Sequence, residues 1–438
     1  MAMAGGWMRF WRLLGGKRSP VRGDLVGDAE ALLTGRGEAS GVAIATELLQ
    51  SYAGASDAQK LAFLLFLAEK FGADHARLQR SIATYQASPD PRTAMELHTA
   101  SEPRRQELIR RLNRAPGGTE KLVRMREDVI RHLPKHPTLE AIDVDFVHLF
   151  SSWFHPGFLV LKRIDWSTPA DLLEKIIRYE AVHAIKSWTD LRRRLDPSDR
   201  RCFAFFHPTL DDEPLVFVEV AFTSEIPSSI APLLAEARPG KAARATTAVF
   251  YSISNCQPGL RGVSLGNFLI KHVVEELLRE LPHLKTFVTL SPVPRFASWL
   301  KRERESKSQV LTAADRSLLR ALEQPGWPGH PQTARALHPV LSHAVAHYFL
   351  AAKDGSGKPV DPVAKFHLGN GARLDRINWL GDTSEKGLTE GAGFMVNYLY
   401  DLSRIERNHE LFANQGQVVA SAAVRKLLRV AHPPAAKT

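Results

Sequence analysis

Only two of the 438 residues are cysteine, Cys202 and Cys256. Two thiols cannot build a disulfide framework, so a reducing compartment is expected, read here as the cytoplasm. Long hydrophobic runs are also missing. The best, residues 61–68, falls far short of the roughly 20 residues of a membrane span, and no membrane partner is expected. The first 23 residues contain no acid and lack the long apolar core of a secretory signal. They read as a weak organelle-targeting segment, an amphipathic anchor or a frayed basic terminus, and the absence of a Ser-rich composition favours the last. The final residues, AHPPAAKT, are not a peroxisomal address.

Several motifs are lacking too, and each lack excludes a chemistry. No Gly-Lys-Ser/Thr follows the glycine-rich turn at 259–266, so it is not a Walker A loop. No G-x-S-x-G surrounds a serine, which removes the nucleophile elbow. His343 and His347 share a helix face, but HAVAH lacks the glutamate of H-E-x-x-H, so no metal site is expected. The net charge is +11, yet the longest basic run, Arg192-Arg193-Arg194, is short and carries no interleaved aromatics. No zinc-finger or RRM signature is present, and nucleic acid is not expected as a partner.

What is present divides in two. Residues 24–133 show helical periodicity and no strand pattern. Ser56-Asp57 caps a helix with Leu61, Leu64, Leu65 and Ala68 on one face, and Thr119 caps another with Leu122, Val123, Met125 and Ile130. A helical bundle without chemistry suits oligomerisation. The pattern lapses around 134–145, which sets a boundary near 145 and predicts domains 1–145 and 146–438. Residues 146–188 read as aromatic-rich and mostly helical. Strand patterns begin at Cys202: CFAFF, a turn through Asp211-Asp212-Glu213-Pro214, then LVFVEVAF, together a hairpin.

Residues 246–299 then organise the second half. They read as a strand (246–253), the glycine-rich turn, an amphipathic helix to about 280, and a second strand (285–290) ending at Ser291. A glycine turn between a strand and a helix offers backbone N–H groups and a positive helix end to an anion. The next parallel strand ends on the same sheet edge, where ligands bind in open sheets. The turn, with Arg261 inside it, resembles the acyl-CoA pyrophosphate loop of the GNAT acyltransferase fold, and the antiparallel hairpin before it favours that fold over a Rossmann sheet. Pro292 and Pro294 stiffen the segment after Ser291. Downstream, FHLGNGA reads as a strand end or loop and ARLDRINW as a strand, with His367 a candidate for proton transfer near neutral pH. Asp361, Asp382 and residues 397–400 are further candidates that spacing alone does not rank. Cys256, beside the turn, reads as a buried structural thiol rather than a nucleophile.

Together the segments FHPT (206–209), FYSISNCQPGLRGVSLGNFLIKHVVEELLRELPHL, TLSPVPRFASWL and DPVAKFHLGNGARLDRINW, with GFMVNYLYDL in support, resemble the malonyl-CoA decarboxylase family. The resemblance spans about residues 55–430. It implies an α+β chain, with an N-terminal all-helical bundle followed by a GNAT-like acyltransferase-fold domain on a mixed β-sheet. It implies a carboxy-lyase that converts malonyl-CoA to acetyl-CoA and CO2 without metal, biotin or PLP. It also implies self-association through the helices, as a homotetramer. The family's catalytic serine and histidine carry over onto Ser291 and His367. Its CoA-binding turn carries over onto Arg261, Gly262, Val263, Ser264, Leu265, Gly266 and Asn267, although Ser264 stands where relatives can place a glutamate. A further site tyrosine is Tyr398 or Tyr400, and Tyr398 is taken. Two rival readings remain: a GNAT-type N-acyltransferase, and a non-catalytic acyl-CoA- or nucleic-acid-binding protein.

Overall fold

The structure is a computed structural model and describes residues 24–428, apart from 36, 236–243, 264, 266–268 and 307–308. The chain divides into two compact units. The first is Met1–Phe154 with two short returns, Thr209–Asp211 and Pro258–Val263; the second is His155–Pro208, Asp212–Gln257 and Ser264–Thr438.

The first unit is helical: α1 (Leu25–Thr34), α2 (Glu38–Gly54), α3 (Asp57–Lys70), α4 (His75–Ala87), α5 (Pro91–Ser101), α6 (Arg104–Leu112), α7 (Gly118–His132) and α8 (Glu140–Trp153). Side-chain caps start several of them. Ser56 and Gln59 form a reciprocal capping box at α3, and Asp74 and Asp90 accept the N–H groups of Arg77 and Thr93 at α4 and α5. The apolar face read for α3 is only partly inside: Leu64 is buried, and Leu61 and Leu65 are half-buried. Leu48, Leu64, Leu108, Leu112, Leu122 and Phe150 are each fully buried and contribute roughly 1.5–3 kcal/mol apiece. Arginine struts cross this core. Arg105 pairs with Asp145, and Arg126 donates to Asp143 Oδ1 (2.9 Å) and to the Gly259 carbonyl (2.7 Å). A buried guanidinium needs such partners, since an unpaired charge inside is costly.

The second unit carries a mixed sheet. Its elements are β1 (Val160–Ile164), α9 (Ala170–Tyr179), α10 (Trp188–Leu195), β2 (Arg200–Phe206), β3 (Pro214–Thr223), α11 (Ala231–Leu234), β4 (Thr247–Asn255), α12 (Leu269–Glu280), β5 (Thr286–Thr289), β6 (Ser291–Pro292), α13 (Phe296–Glu305), α14 (Ala313–Leu318), α15 (Pro331–Leu350), α16 (Pro362–Gly369), β7 (Arg373–Asn378), α17 (Glu385–Gly391), β8 (Met395–Leu399), α18 (Ile405–Gln415) and α19 (Ala422–Arg425). The sheet order is β1-β2-β3-β4-β5-β8-β6, and β7 also pairs with β8. β1 to β4 are antiparallel neighbours, β4 and β5 run parallel across the α12 crossover, and β8 returns antiparallel to β5. The architecture is therefore a helical bundle followed by a GNAT-like mixed-sheet unit. β3 is buried on both faces except at Thr223, which accounts for the run LVFVEVAF, apolar save for Glu219, whose carboxylate pairs with Arg194 at 2.8 Å. On one face Leu172, Leu173, Ile176, Leu191 and Leu195 pack against Cys202, Phe217 and Cys256.

Three local expectations change. Residues 146–188 contain a strand, β1, and it pairs with β2 from Val160↔Phe206 to Ile164↔Cys202. The segment FHLGNG is not a strand end. Residues 362–369 form helix α16, because Asp361 caps it and Pro362 occupies its first turn, where a missing N–H costs nothing. Residues 418–430 also read from their sequence as a closing helix, and among the described residues of that span only Ala422–Arg425, α19, are helical.

Candidate active site

The site grows from the end of a parallel strand pair. β4 and β5 pair from Thr247↔Thr286 to Phe250↔Thr289, and the last rung is the Leu290 N–H donating to the Phe250 carbonyl at 3.0 Å. Beyond it the strands part. β4 continues against β3 through a bulge after Phe250, while Ser291 and Pro292 pair with Val396 and Met395 of β8. Pro292 has no N–H to give to a ladder, which suits this break. The gap between the parted strands is a cavity of about 230 Å³ lined by Phe250, Tyr251, Ile253, Ser291, Phe366 and His367, among others.

His367 reaches this cavity from the last turn of α16. The helix is held at its start by Asp361, whose Oδ1 accepts the Ala364 N–H at 2.7 Å and whose Oδ2 accepts the Tyr348 hydroxyl at 3.0 Å. It is stopped by Gly371, which has a φ of 80° and where an added Cβ would lie only 2.2 Å from the Ile405 carbonyl oxygen.

A hydrogen-bonded chain runs through the site. The Tyr400 hydroxyl lies 2.8 Å from His367 Nδ1, His367 Nε2 lies 3.1 Å from Ser291 Oγ, and Ser291 Oγ donates to Thr289 Oγ1 at 2.9 Å. Thr289 Oγ1 also accepts the Tyr398 backbone N–H at 3.2 Å. The Tyr398 ring stacks on the imidazole, with centroids 4.6 Å apart and planes at 27°. Strand geometry produces this clustering: residues two apart share a face, so Thr289 and Ser291 point together, and so do Tyr398 and Tyr400. Behind them Asn397 donates to the Thr289 carbonyl (2.8 Å) and accepts from Arg376 and Asn378.

The electrostatics follow from burial. His367 is 3% exposed, and desolvation lowers its pKa to about 3, so the imidazole is neutral at pH 7. Burial pushes the Tyr400 phenol well up, which keeps its proton in place. A protonated phenol can donate to Nδ1 or accept from it, so the ring admits two tautomers: Nδ1 accepting with Nε2 donating to Ser291, or the reverse. Burial likewise raises Asp361 to about 6, against the lowering effect of its Ala364 and Tyr348 bonds.

Of the site residues expected from sequence, Ser291, His367 and Tyr398 come together here. Arg261, Gly262 and Val263 belong to the first unit, where Gly262 adopts a φ of 83° and Gly259 sits so close to the Val123 carbonyl that a Cβ would meet it at 2.1 Å. Leu265 belongs to the second unit, and Ser264, Gly266 and Asn267 lie outside the described residues. Cys256 is buried, and burial pushes its thiol up, away from nucleophilic use. Thr289 was not singled out from sequence; its place two residues before Ser291 in a strand was the available signal. Tyr400 and Asp361 were candidates that spacing did not rank.

Comparison with known proteins bears on the whole chain. Residues 157–438 match the malonyl-CoA decarboxylase C-terminal domain, and residues 71–154 match the malonyl-CoA decarboxylase N-terminal domain. A solved malonyl-CoA decarboxylase from Rhodopseudomonas palustris is 59% identical, with a TM-score of 0.90 over 93% of this chain and 100% of that one. One from Agrobacterium vitis is 55% identical, with a TM-score of 0.88 over the same shares. Mitochondrial malonyl-CoA decarboxylase of the goose Anser anser anser is 36% identical over 86% of this chain and 82% of its own length. Its counterparts from rat and mouse are 35% and 34% identical over 87% of this chain and 84% of theirs. These three relatives are all named as mitochondrial, which overturns the cytoplasmic location expected from sequence. The cysteine argument points to a reducing compartment and does not distinguish one such compartment from another. With both domain families matched in chain order, and with close structural counterparts over nearly its full length, the chain belongs to the malonyl-CoA decarboxylase family.

Proposed function

We propose that the chain decarboxylates malonyl-CoA to acetyl-CoA and CO2, with Ser291 and His367 as the working pair. The observation that carries the roles is the 3.1 Å contact between Ser291 Oγ and His367 Nε2 on the wall of a 230 Å³ cavity. Loss of CO2 breaks the bond between the carboxylate and C2, and its electron pair moves onto the thioester oxygen as an enolate. Preorganised donors stabilise such an oxyanion, and the Ser291 hydroxyl, turned from Thr289 toward the malonyl group as the substrate binds, supplies one. C2 then takes a proton. The malonyl carboxylate brings a negative charge into the dry pocket and favours the imidazolium of His367. The proton drawn from solvent on binding settles on Nδ1, against the Tyr400 oxygen, the Nε2 hydrogen passes to C2, and the imidazole returns to neutral. Apolar walls of Phe250, Ile253 and Phe366 exclude water and favour departure of CO2. The turn of Arg261, Gly262, Val263, Ser264, Leu265, Gly266 and Asn267 takes the CoA pyrophosphate through backbone N–H groups and the Arg261 guanidinium. The N-terminal helices, expected as residues 1–145, mediate assembly into a homotetramer, and residues 146–438 carry catalysis.

Incubation with malonyl-CoA alone tests the reaction: CO2 and acetyl-CoA form without an amine acceptor, which an N-acyltransferase would need. His367→Ala, folded by circular dichroism, is expected to lose essentially all turnover. Wild-type turnover in that variant would remove His367 from the mechanism.

A further inference from the structure

We propose that Thr289 is a positioning residue that sets the direction of the hydrogen bonds through Ser291 and His367. Its hydroxyl oxygen is fully buried and fixed from two sides. The Tyr398 N–H donates to it at 3.2 Å, and Asn397 Nδ2 anchors the Thr289 carbonyl at 2.8 Å. Asn397 is itself held by the donors of Arg376 (3.0 Å) and Asn378 (2.8 Å). The geometry of the hydroxyl pair admits Ser291 as donor to Thr289 at 2.9 Å. The serine proton therefore points away from the imidazole, and the serine lone pairs face His367 Nε2 at 3.1 Å. That nitrogen must then carry a hydrogen. Nδ1 must accept, and the Tyr400 hydroxyl 2.8 Å away is the donor it accepts from.

The consequence is a chain with one polarity: Tyr400 to His367, His367 to Ser291, Ser291 to Thr289. It presents the N–H of the imidazole on the Ser291 side, where the cavity lies. Without an acceptor at position 289, the nearest acceptor for the serine proton is Nε2 itself. The imidazole would then move its hydrogen to Nδ1 and donate to Tyr400, and the chain would run the other way. A reversed chain carries a bare lone pair where the reaction needs a donor.

Thr289→Val keeps the shape and β-branching of the side chain and removes the acceptor, and Thr289→Ser restores the acceptor without the methyl. The first readout needs no substrate. In protein labelled with 15N-histidine, with the His367 signal assigned by its loss in His367→Gln, the ligand-free wild type is expected as the Nε2–H tautomer. Thr289→Val is expected to shift toward Nδ1–H, and Thr289→Ser to return to the wild-type form. The kinetic readout rests on the decarboxylase reading: kcat falls at least about tenfold in Thr289→Val with little change in KM, and Thr289→Ser recovers most of it. Melting temperature does not discriminate, because the valine also strips the Tyr398 N–H of its acceptor. An Nδ1–H tautomer in the wild type overturns the proposal even if Thr289→Val fails to fold. So does an unchanged tautomer in Thr289→Val, or a Thr289→Ser variant as impaired as the valine. Failure of the decarboxylase reading would show instead as a wild type with the expected tautomer and no CO2 release.

Discussion

His367 owes its depressed pKa to burial, with no neighbouring cation behind it: desolvation is the one cause, and it brings the value to about 3. That has a consequence for catalysis at the residue scale. A free-site pKa near 3 leaves the imidazole neutral at pH 7, whereas the proposed proton transfer to C2 requires the charged ring. Only the substrate can close this gap, by placing its carboxylate against the ring. Binding of malonyl-CoA, or of a non-decarboxylating analogue, is therefore expected to be accompanied by proton uptake, larger as pH falls from 7 toward 5. Since the bound pKa exceeds the free one, affinity weakens as pH rises through the bound-state value. Calorimetric titrations in buffers of different ionisation enthalpy measure the proton count. A count of zero across that range would mean that the ring stays neutral throughout and acts only as a hydrogen-bond donor.

At the scale of elements, the helix α16 depends on its cap. Asp361 is fully buried at the start of the helix that ends in His367, and burial raises its pKa from an ordinary 3.8 to about 6. A raised carboxyl pKa stabilises the folded state below about pH 4, and the contribution is lost as pH rises through about 6. The size follows from the pKa difference and is roughly 3 kcal/mol. Asp361→Asn keeps an oxygen for the Ala364 N–H and removes the titration. Its melting temperature is thus expected to change less than that of the wild type between pH 5 and pH 7.5, and equal changes would place the dependence elsewhere. The same helix shows why part of the site was hard to read. Eight residues make barely two turns, too few for a 3.6-residue period to emerge, and Gly369 and Gly371 imitate a loop. β1 was missed for a related reason: five residues of an edge strand, three of them exposed, leave little apolar alternation. The β4–α12–β5 unit was legible because its period changes twice within one stretch and a glycine turn marks the first change. Ser291 and His367 were found through family-like segments, whereas Thr289 and Tyr400 matter through contacts that join strands far apart in the chain.

At the scale of the whole molecule, the excess of 58 Lys and Arg over 47 Asp and Glu is the feature most open to misreading. Part of the basic count is internal. Arg105, Arg126, Arg194 and Arg200 are each less than a tenth exposed, and all four bond to carboxylates or carbonyls inside their own unit. Such arginines hold segments together and offer nothing to a nucleic acid. The net charge of +11 nevertheless creates a long-range field, and a CoA thioester is a polyanion that such a field attracts. Attraction of this kind acts on encounter and not on the chemical step. Raising ionic strength from about 0.05 to 0.3 M shortens the Debye length from roughly 14 to 6 Å. It is therefore expected to lower kcat/KM for malonyl-CoA several-fold while leaving kcat unchanged. Excess duplex DNA at 0.15 M salt is expected to change the rate little, because a Debye length of about 8 Å confines the field to short range at that ionic strength. A kcat that falls in parallel with kcat/KM would instead show that salt disturbs the site itself. Strong inhibition by DNA would show that the basic surface forms a docking face for a larger polyanion.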